Sequence, residues 1–223
     1  MSDSHAPSAL AHQFEDLQQQ QESASLGMWV FLATEVMFFG GLFAAYTIYR
    51  HFFLPEFEVG SHLLNVKIGA LNTAVLIGSS LTMAMGVRAA QMGKKNALIA
   101  FLIMTMILGL IFVGVKLNFE WRQDYIDGLA PGLNFTHDFS HLGLHHAKSV
   151  ELFFFFYFTM TGVHALHMVV GMGILAVLVY FAAKGEYGPD RFNMIEGMGL
   201  YWHFVDIIWI FLFPLLYLIG GRY

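Results

Sequence analysis

Ionisable side chains inside long apolar stretches are the feature of this sequence that could do chemistry. They are Glu35, Glu120, His164, His167, Glu196, His203 and Asp206, with Glu120 and Glu196 near the ends of their stretches. Placing such a group in hydrocarbon costs free energy, so each is a candidate functional residue. The sequence contains no cysteine, which excludes a disulfide scaffold and any cysteine-ligated metal or redox centre.

Glu35 lies about a third of the way along the first apolar stretch, among Phe31, Val36, Met37 and Phe38. A carboxyl in such surroundings can act as a proton-exchanging group or as a polar anchor against a neighbouring helix. It can equally be a protonated carboxyl that forms a hydrogen bond across a helix interface. The sequence leaves these roles open.

The later histidines and carboxylates fall on helix faces. His164 and His167 are three residues apart and share one face of a helix. Glu196, His203 and Asp206 lie within an arc of about 80° on the next helix. We expect these two stripes to pair with each other, satisfied by hydrogen bonds between helices. Haem ligation between His164 or His167 and His203 is the alternative.

A second group of histidines lies in the longest connection of the chain. His137, His141 and His145 are spaced four residues apart, and His146 is adjacent to the last of them. Two histidines at this spacing on a helix can share a metal ion, but the HExxH pattern of a zinc hydrolase is absent. We expect a solvated polar loop, with a structural or adventitious metal as the alternative.

The composition requires a membrane. Apolar residues make up 57% of the 223 residues and charged residues only 12%, about half the share of a typical soluble domain. The mean hydropathy is +0.60. A soluble protein of this composition would expose large apolar patches, so a cytosolic domain is excluded. The net charge of −5 and the scattered basic residues offer no surface for nucleic acid.

Five apolar runs are long enough to cross about 30 Å of hydrocarbon as helices. They cover residues 26–49, 68–87, 97–115, 152–183 and 197–219. The sequence therefore predicts an all-α integral membrane protein, a bundle of five transmembrane helices preceded by a polar tail over residues 1–25. The tail contains no basic residue and no short apolar core, so it does not resemble a secretory signal.

Charge does not decide the orientation of the bundle. The basic residues on the side of the N-terminus are Arg88, Lys94, Lys95, Lys184 and Arg191, and those on the other side are Arg50, Lys67, Lys116, Arg122, Lys148 and Arg222. The two sides are nearly equal, so the positive-inside rule does not distinguish the two orientations. The tight group in the short loop that contains Lys94 and Lys95 favours a cytoplasmic N-terminus.

Several segments resemble a known family. The sequence YWHFVDIIW at residues 201–209 resembles the last-helix signature of subunit III of the haem–copper cytochrome c oxidases. The segment Thr161–His167 is similar to the family element Thr-Gly-x-His-Gly-Leu-His, with a departure at Ala165. Further matches in the same order are Thr34–Phe39, Leu71–Thr73, Phe119–Trp121 and Glu196 seven residues before His203.

This resemblance implies a fold and a role. Family members commonly have seven helices, so the five predicted here resemble the shorter bacterial form that begins at the family's third helix. It implies a multi-pass protein of the bacterial inner membrane with a cytoplasmic N-terminus. It also implies packing against oxidase subunits I and II, in a complex that can join a respiratory supercomplex. Glu35 would be a buried carboxylate near subunit I or lipid. The resemblance also implies an internal polar cluster between helices, made of Glu120, His164, His167, Glu196, His203 and Asp206.

The resemblance also implies that the chain is an accessory subunit rather than the catalytic one. We expect no catalytic residue, no haem and no copper in this chain. We do expect bound phospholipid, and a role in supporting proton uptake and stability in a proton-pumping cytochrome c oxidase. Counting agrees, because a haem–copper catalytic subunit needs six histidines in its helices and only three are placed within the predicted spans.

Other functions stay open at this point. The chain could instead be the matching subunit of a quinol oxidase or of a nitric oxide reductase. Quinol enzymes are associated with Asp at the position of Glu35, so the glutamate favours the cytochrome c type. An autonomous proton conductor or transporter is disfavoured, because no inverted repeat and no span broken by paired Gly and Pro is found. A membrane cytochrome that uses His164 or His167 with His203 is the remaining alternative.

Overall fold

The computed structural model describes residues 16–132, 134–137, 139, 148–188 and 192–219. The helices in these ranges are α1 (Leu17–Phe52), α2 (Leu54–Leu63), α3 (Val66–Gln91), α4 (Lys95–Val115), α5 (Arg122–Ile126), α6 (Ser149–Lys184) and α7 (Asn193–Tyr217). A π-helical segment, Lys116–Trp121, joins α4 to α5 without a break, and two short strands, β1 (Leu129–Ala130) and β2 (Asn134–Phe135), follow.

Among the described residues, five helices are long and apolar enough to cross a membrane. They are α1, α3, α6, α7 and the continuous helix from Lys95 to Ile126. This confirms the predicted fold class, an all-helical membrane protein with five spans. The predicted runs 26–49, 68–87, 97–115 and 152–183 lie inside the observed helices, and the predicted run 197–219 ends two residues beyond α7.

The helix ends follow local chemistry. The Asp16 carboxylate accepts a hydrogen bond from the backbone N–H of Gln19 (2.7 Å) and begins α1. The Asn65 side chain accepts from the N–H groups of Lys67 and Ile68 and begins α3. Gly185 ends α6 in the left-handed conformation, with φ +83°, which a residue with a Cβ rarely adopts.

The bundle is centred on α7, which packs against α3, α6 and α1. Two tryptophans on α7 donate to hydroxyl groups on α3: Trp202 Nε1 to Ser79 Oγ (3.1 Å) and Trp209 Nε1 to Thr73 Oγ1 (3.0 Å). Helix α4 packs against α3 and α6 on the other side of this core. The indole rings thus combine apolar burial with satisfied polar atoms between helices.

Helix α1 lies at the edge of the bundle. In its most apolar stretch only 6% of the residues are buried, against 50% in α7. It is held by specific contacts, among them the hydrogen bond from Tyr46 Oη to the carbonyl of Leu215 (2.8 Å). Its outward side chains, such as Met37 and Phe38, are exposed on the surface of the bundle.

Two polar regions differ from the predicted division. Residues 17–25 of the predicted tail are the first turns of α1 and form one helix with the first span. Residues 1–15 lie outside the described residues. The connection after residue 116 begins as helix up to Ile126 and then forms an antiparallel hairpin, with Leu129 paired to Phe135. Apolar periodicity gave no signal for strands this short.

Candidate functional site

A buried charged cluster lies where α4, α6 and α7 meet, at the end of the bundle away from the N-terminus. Its four members are Lys116, Glu120, Tyr157 and Tyr217. The Lys116 ammonium donates to the Glu120 carboxylate, to Tyr157 Oη (3.0 Å) and to Tyr217 Oη (2.6 Å). Both tyrosine hydroxyls also contact Glu120 Oε2, at 3.2 Å and 2.5 Å. We call this group the lysine–tyrosine cluster.

The π-helical segment positions the two charges of this cluster. Lys116 and Glu120 are four residues apart on its inner side and are only 1% and 4% exposed. π-helical turns inside α-helices often occur at functional sites. A lysine buried so deeply requires a counter-charge, because an unpaired ion in a low-dielectric interior is strongly unfavourable. The cluster therefore closes one end of the bundle by a buried ion pair.

A second site joins α1 to α6. His167 Nδ1 donates to the Val163 carbonyl (2.8 Å), which leaves Nε2 facing Glu35 Oε2 at 3.1 Å. A carbonyl can only accept, so Nδ1 carries a proton, and one further proton is shared between Nε2 and the carboxyl. The pair is either a neutral acid and a neutral imidazole or a carboxylate and an imidazolium. Its side chains are 18% and 17% exposed, beside Phe39.

His164 is a core histidine. Its ring is fully buried between Phe112 and Trp209, with ring-centroid distances of 5.4 Å and 5.2 Å. The Nε2–H donates to the carbonyl of Val205 at 3.2 Å. This contact fixes the ring against α7 and fits a packing role.

His203 and Asp206 lie on the opposite part of α7, against α3. His203 Nδ1 and Ser80 Oγ are 2.7 Å apart. The Asp206 side chain is 3% exposed and faces the same groove, which Ser80 also lines. The histidines of the haem alternative, His164 or His167 with His203, thus contact different protein groups: the carbonyl of Val205, the carboxyl of Glu35 and the hydroxyl of Ser80.

The predicted polar residues therefore do not form one cluster. Glu120 belongs to the lysine–tyrosine cluster, His167 pairs with Glu35, His164 packs in the core, and His203 and Asp206 share the α3–α7 groove. Glu196 is exposed near the start of α7. The single internal cluster expected from the sequence is replaced by separate sites, because His167 faces α1 and His203 faces α3 instead of facing one another.

The loop histidines are only partly described. His137 is exposed and its ring lies 4.7 Å from that of Phe139. His141, His145 and His146 lie outside the described residues. Within the part of the chain that the structure describes, no three His, Cys, Asp or Glu side chains form a group that could hold a metal ion.

Sequence reasoning missed Lys116, Tyr157 and Tyr217. Lys116 was counted with the basic residues outside the membrane, yet it is among the most deeply buried side chains of the described residues. The spacing of four between Lys116 and Glu120 was the available signal for the ion pair. No local signal marked the two tyrosines, which are 41 and 101 residues from Lys116.

Fold and site together define a class: a multi-pass, all-helical membrane protein whose buried ionisable groups are satisfied mainly by contacts within the bundle. Its sequence places it more narrowly. The chain belongs to the cytochrome c oxidase subunit III family, whose model matches residues 11–221. It is therefore a subunit III of a respiratory oxidase and associates with other oxidase subunits.

Similar proteins include subunits named for cytochrome c oxidases and subunits named for quinol oxidases. The chain is 31% identical to a cytochrome c oxidase subunit 3 of Corynebacterium diphtheriae, over 87% of each chain. It is 28% identical to a cytochrome bo(3) ubiquinol oxidase subunit 3 of Pseudomonas aeruginosa, over 99% of this chain and 95% of that one. A probable quinol oxidase subunit 3 of Staphylococcus haemolyticus is 28% identical over 89% and 90% of the two chains.

Proposed function

We propose that this chain is the non-catalytic subunit III of a proton-pumping oxidase that takes electrons from cytochrome c. The observation that carries the proposal is the family match over residues 11–221. The three central histidines face different protein groups rather than one shared site, which supports an accessory role: His164 donates to Val205, His167 bonds Glu35, and His203 bonds Ser80. The haems and copper belong to neighbouring subunits.

The exposed face of α1 supports a role in holding lipid or a neighbouring subunit. Its outward residues are large and apolar, and Met37 and Phe52 are 78% and 69% exposed. Such a face inside a membrane is covered by acyl chains or by another helix, because no other solvent is present there. Bound phospholipid along α1 and contact with subunit I are therefore part of the proposed function.

The Glu35–His167 pair supports a role in proton supply. It holds one exchangeable proton between a carboxyl and an imidazole, and both side chains are partly exposed at the edge of the bundle. A group that can take and release a proton beside subunit I would help to keep proton uptake into that subunit fast. The catalytic proton translocation itself is assigned to subunit I.

The location that fits is the bacterial inner membrane, with the N-terminus cytoplasmic and the C-terminus on the other side. The relatives described above are bacterial. The short turn between α3 and α4, which carries Lys94 and Lys95, lies on the side of the N-terminus because an even number of spans separates them. Basic residues in short loops favour the cytoplasmic side.

A quinol oxidase is the second candidate, favoured by the names of the Pseudomonas and Staphylococcus relatives. The experiment purifies the full-length chain with its neighbours from the native membrane, identifies them, and measures oxygen consumption with reduced cytochrome c and with a quinol. We expect haem absorption in the complex and oxidation of cytochrome c. Oxidation of quinol alone would establish the second candidate. A Soret band that stays with this polypeptide after separation would refute the accessory role.

A further inference from the structure

A polar niche lies in a groove between α3 and α7, at the outer surface of the bundle. The cavity has a volume of about 370 Å³, and its polar lining residues are Ser80, His203 and Asp206. The rest of the lining is aliphatic, and Ile77, Leu81 and Ile207 on its rim are 54%, 63% and 49% exposed. The niche is therefore open to a partner in the membrane.

Asp206 lacks the hydrogen bonds that its burial requires. Its side chain is 3% exposed, and within the described part of the chain neither carboxyl oxygen meets a donor in hydrogen-bonding geometry. The candidate donor for Asp206 within the described residues is the Ser80 hydroxyl, which also lies 2.7 Å from His203 Nδ1. The single Ser80 proton serves either His203 or Asp206, so at least one carboxyl oxygen is left without a donor. Buried polar groups in native assemblies are almost always paired.

The depth of the niche restricts what can supply the donor. Ser80 lies near the middle of α3 (Val66–Gln91), and Asp206 lies near the middle of α7 (Asn193–Tyr217). The headgroups of phospholipids stay at the membrane surface, and their acyl chains carry no donor. A side chain on a second membrane-spanning helix reaches this depth while its own backbone stays satisfied.

We infer that this niche receives a hydrogen-bond-donating side chain from a membrane-spanning helix of a neighbouring oxidase subunit. The inference rests on the proposed function, since it requires a multi-subunit complex. The aliphatic rim packs against the partner helix, and the Asp206 carboxyl accepts from the donor side chain. Interhelical hydrogen bonds of this kind fix partner choice and orientation inside membranes.

Crosslinking tests the inference directly, because the native sequence has no cysteine. The variant Ile207→Cys, in the full-length chain within the purified complex, is labelled with a light-activated crosslinker. The matched control is Val177→Cys on α6, a β-branched residue that is 52% exposed away from the groove. We expect an adduct of the chain with one oxidase subunit from position 207 and lipid adducts from position 177. Lipid or quinone adducts alone from position 207 would overturn the inference.

Retention in the complex gives a second measurement. Asp206→Leu removes the acceptor, and Ile207→Trp fills the groove while changing only an exposed side chain. We expect each to lower the share of chain that stays with the haem-containing subunits after a detergent wash by about three- to thirtyfold. Val177→Trp should leave retention unchanged.

A structural role for Asp206 predicts a different result. If Asp206 only stabilised its own chain, Asp206→Leu would lower the amount of chain in the membrane. Because Asp206 has few donors within the chain, we expect that amount to stay at the wild-type level. Wild-type retention of both groove variants would overturn the inference. Failure of the wild-type chain to purify with haem-containing subunits would instead refute the proposed function.

Discussion

At the scale of single residues, the chain satisfies most of its buried charge locally. Lys116 has three partners, two of them on other helices, and the Glu120 carboxylate accepts from three groups. Glu35 and His167 are joined by one hydrogen bond. Such contacts are worth little as net stabilisation relative to apolar side chains, but the loss of one partner leaves an uncompensated charge. Variants that remove one member are therefore the informative ones.

Removing the buried cation of the lysine–tyrosine cluster should destabilise the chain strongly. Lys116→Met leaves the Glu120 carboxylate without its counter-charge, which costs about 3–5 kcal/mol. The measurement is thermal or denaturant unfolding of the complex in detergent, with the unfolding of this chain as the signal. The exposed-lysine control Lys94→Met should change stability by less than about 0.5 kcal/mol.

The double variant Lys116→Met with Glu120→Gln separates the ion pair from the fold around it. Because both charges are then absent, most of the lost stability should return. Equal instability of the single and double variants would show that the cluster acts through packing alone.

Glu35→Gln should leave the complex assembled with its full haem content. A glutamine amide can donate to His167 Nε2 while Nδ1 keeps its hydrogen bond to Val163, so the contact between α1 and α6 survives. The measurement is haem per complex from the reduced absorption spectrum. Loss of the haem would mean that Glu35 has a structural role which this geometry does not explain.

At the scale of the helices, close approach of α6 and α7 organises the bundle. A Cβ atom on Gly171 of α6 would lie 2.9 Å from Tyr201 and 3.1 Å from Trp202 of α7. Gly173, two residues along the same helix, has open space around it. The small residue at 171 thus permits the contact that seats Trp202 against Ser79, as small residues do at membrane helix interfaces.

Gly171→Ala and Gly173→Ala form a matched pair within one helix. We expect the first to destabilise by about 1–3 kcal/mol, because the tyrosine and indole rings must move. The second should be neutral or stabilising by up to about 1 kcal/mol, because alanine favours a helix interior. Melting temperatures of the two variants, measured in the same detergent, check this. Equal melting temperatures would show that α6 and α7 do not rely on this approach.

At the scale of the whole molecule, two of the membrane-facing surfaces of the bundle are distinctive. One is the exposed side of α1, and the other is the α3–α7 groove with its polar niche. Helix α1 has 36 residues, about 54 Å of length, so its polar first turns extend beyond the roughly 30 Å hydrocarbon layer. So much exposed apolar surface requires a cover of lipid or neighbouring helices, in keeping with the place of this subunit in an oxidase complex.

Removal of this subunit should slow the oxidase most at high pH. If the chain helps proton uptake into subunit I, its absence limits turnover when protons are scarce. Turnover of the complete and the depleted complex is compared from about pH 6 to about pH 9, where the ratio of depleted to complete turnover should fall as pH rises. A constant ratio would argue against the proton-supply role while leaving the structural role intact.

Single cysteines report the orientation of the chain. Lys94→Cys and His62→Cys place thiols at exposed positions on opposite sides of the bundle. With a cytoplasmic N-terminus, a membrane-impermeant maleimide added to intact spheroplasts should label position 62 and leave position 94 unlabelled. The reversed pattern would show the opposite orientation.

The sequence by itself determined that the chain crosses the membrane, where its five spans lie, and which family it belongs to. These properties depend on local quantities: the length of an apolar run, the hydrogen bonds that a helix closes within itself, and motifs such as the one at residues 201–209. The polar stripes on α6 and α7 were also visible, because helical periodicity alone places residues on a face.

Only the tertiary structure decided which polar groups meet. Lys116 and Tyr217 are 101 residues apart, and Glu35 and His167 are 132 apart. Their contact depends on how far each helix is rotated and shifted against its neighbours, which is set by the packing of large rings such as Trp202 and Trp209. The same packing buries the Asp206 side chain at the α3–α7 groove without a full set of hydrogen-bond donors. Periodicity assigns a side chain to a face, and the packing of whole helices assigns that face its partner.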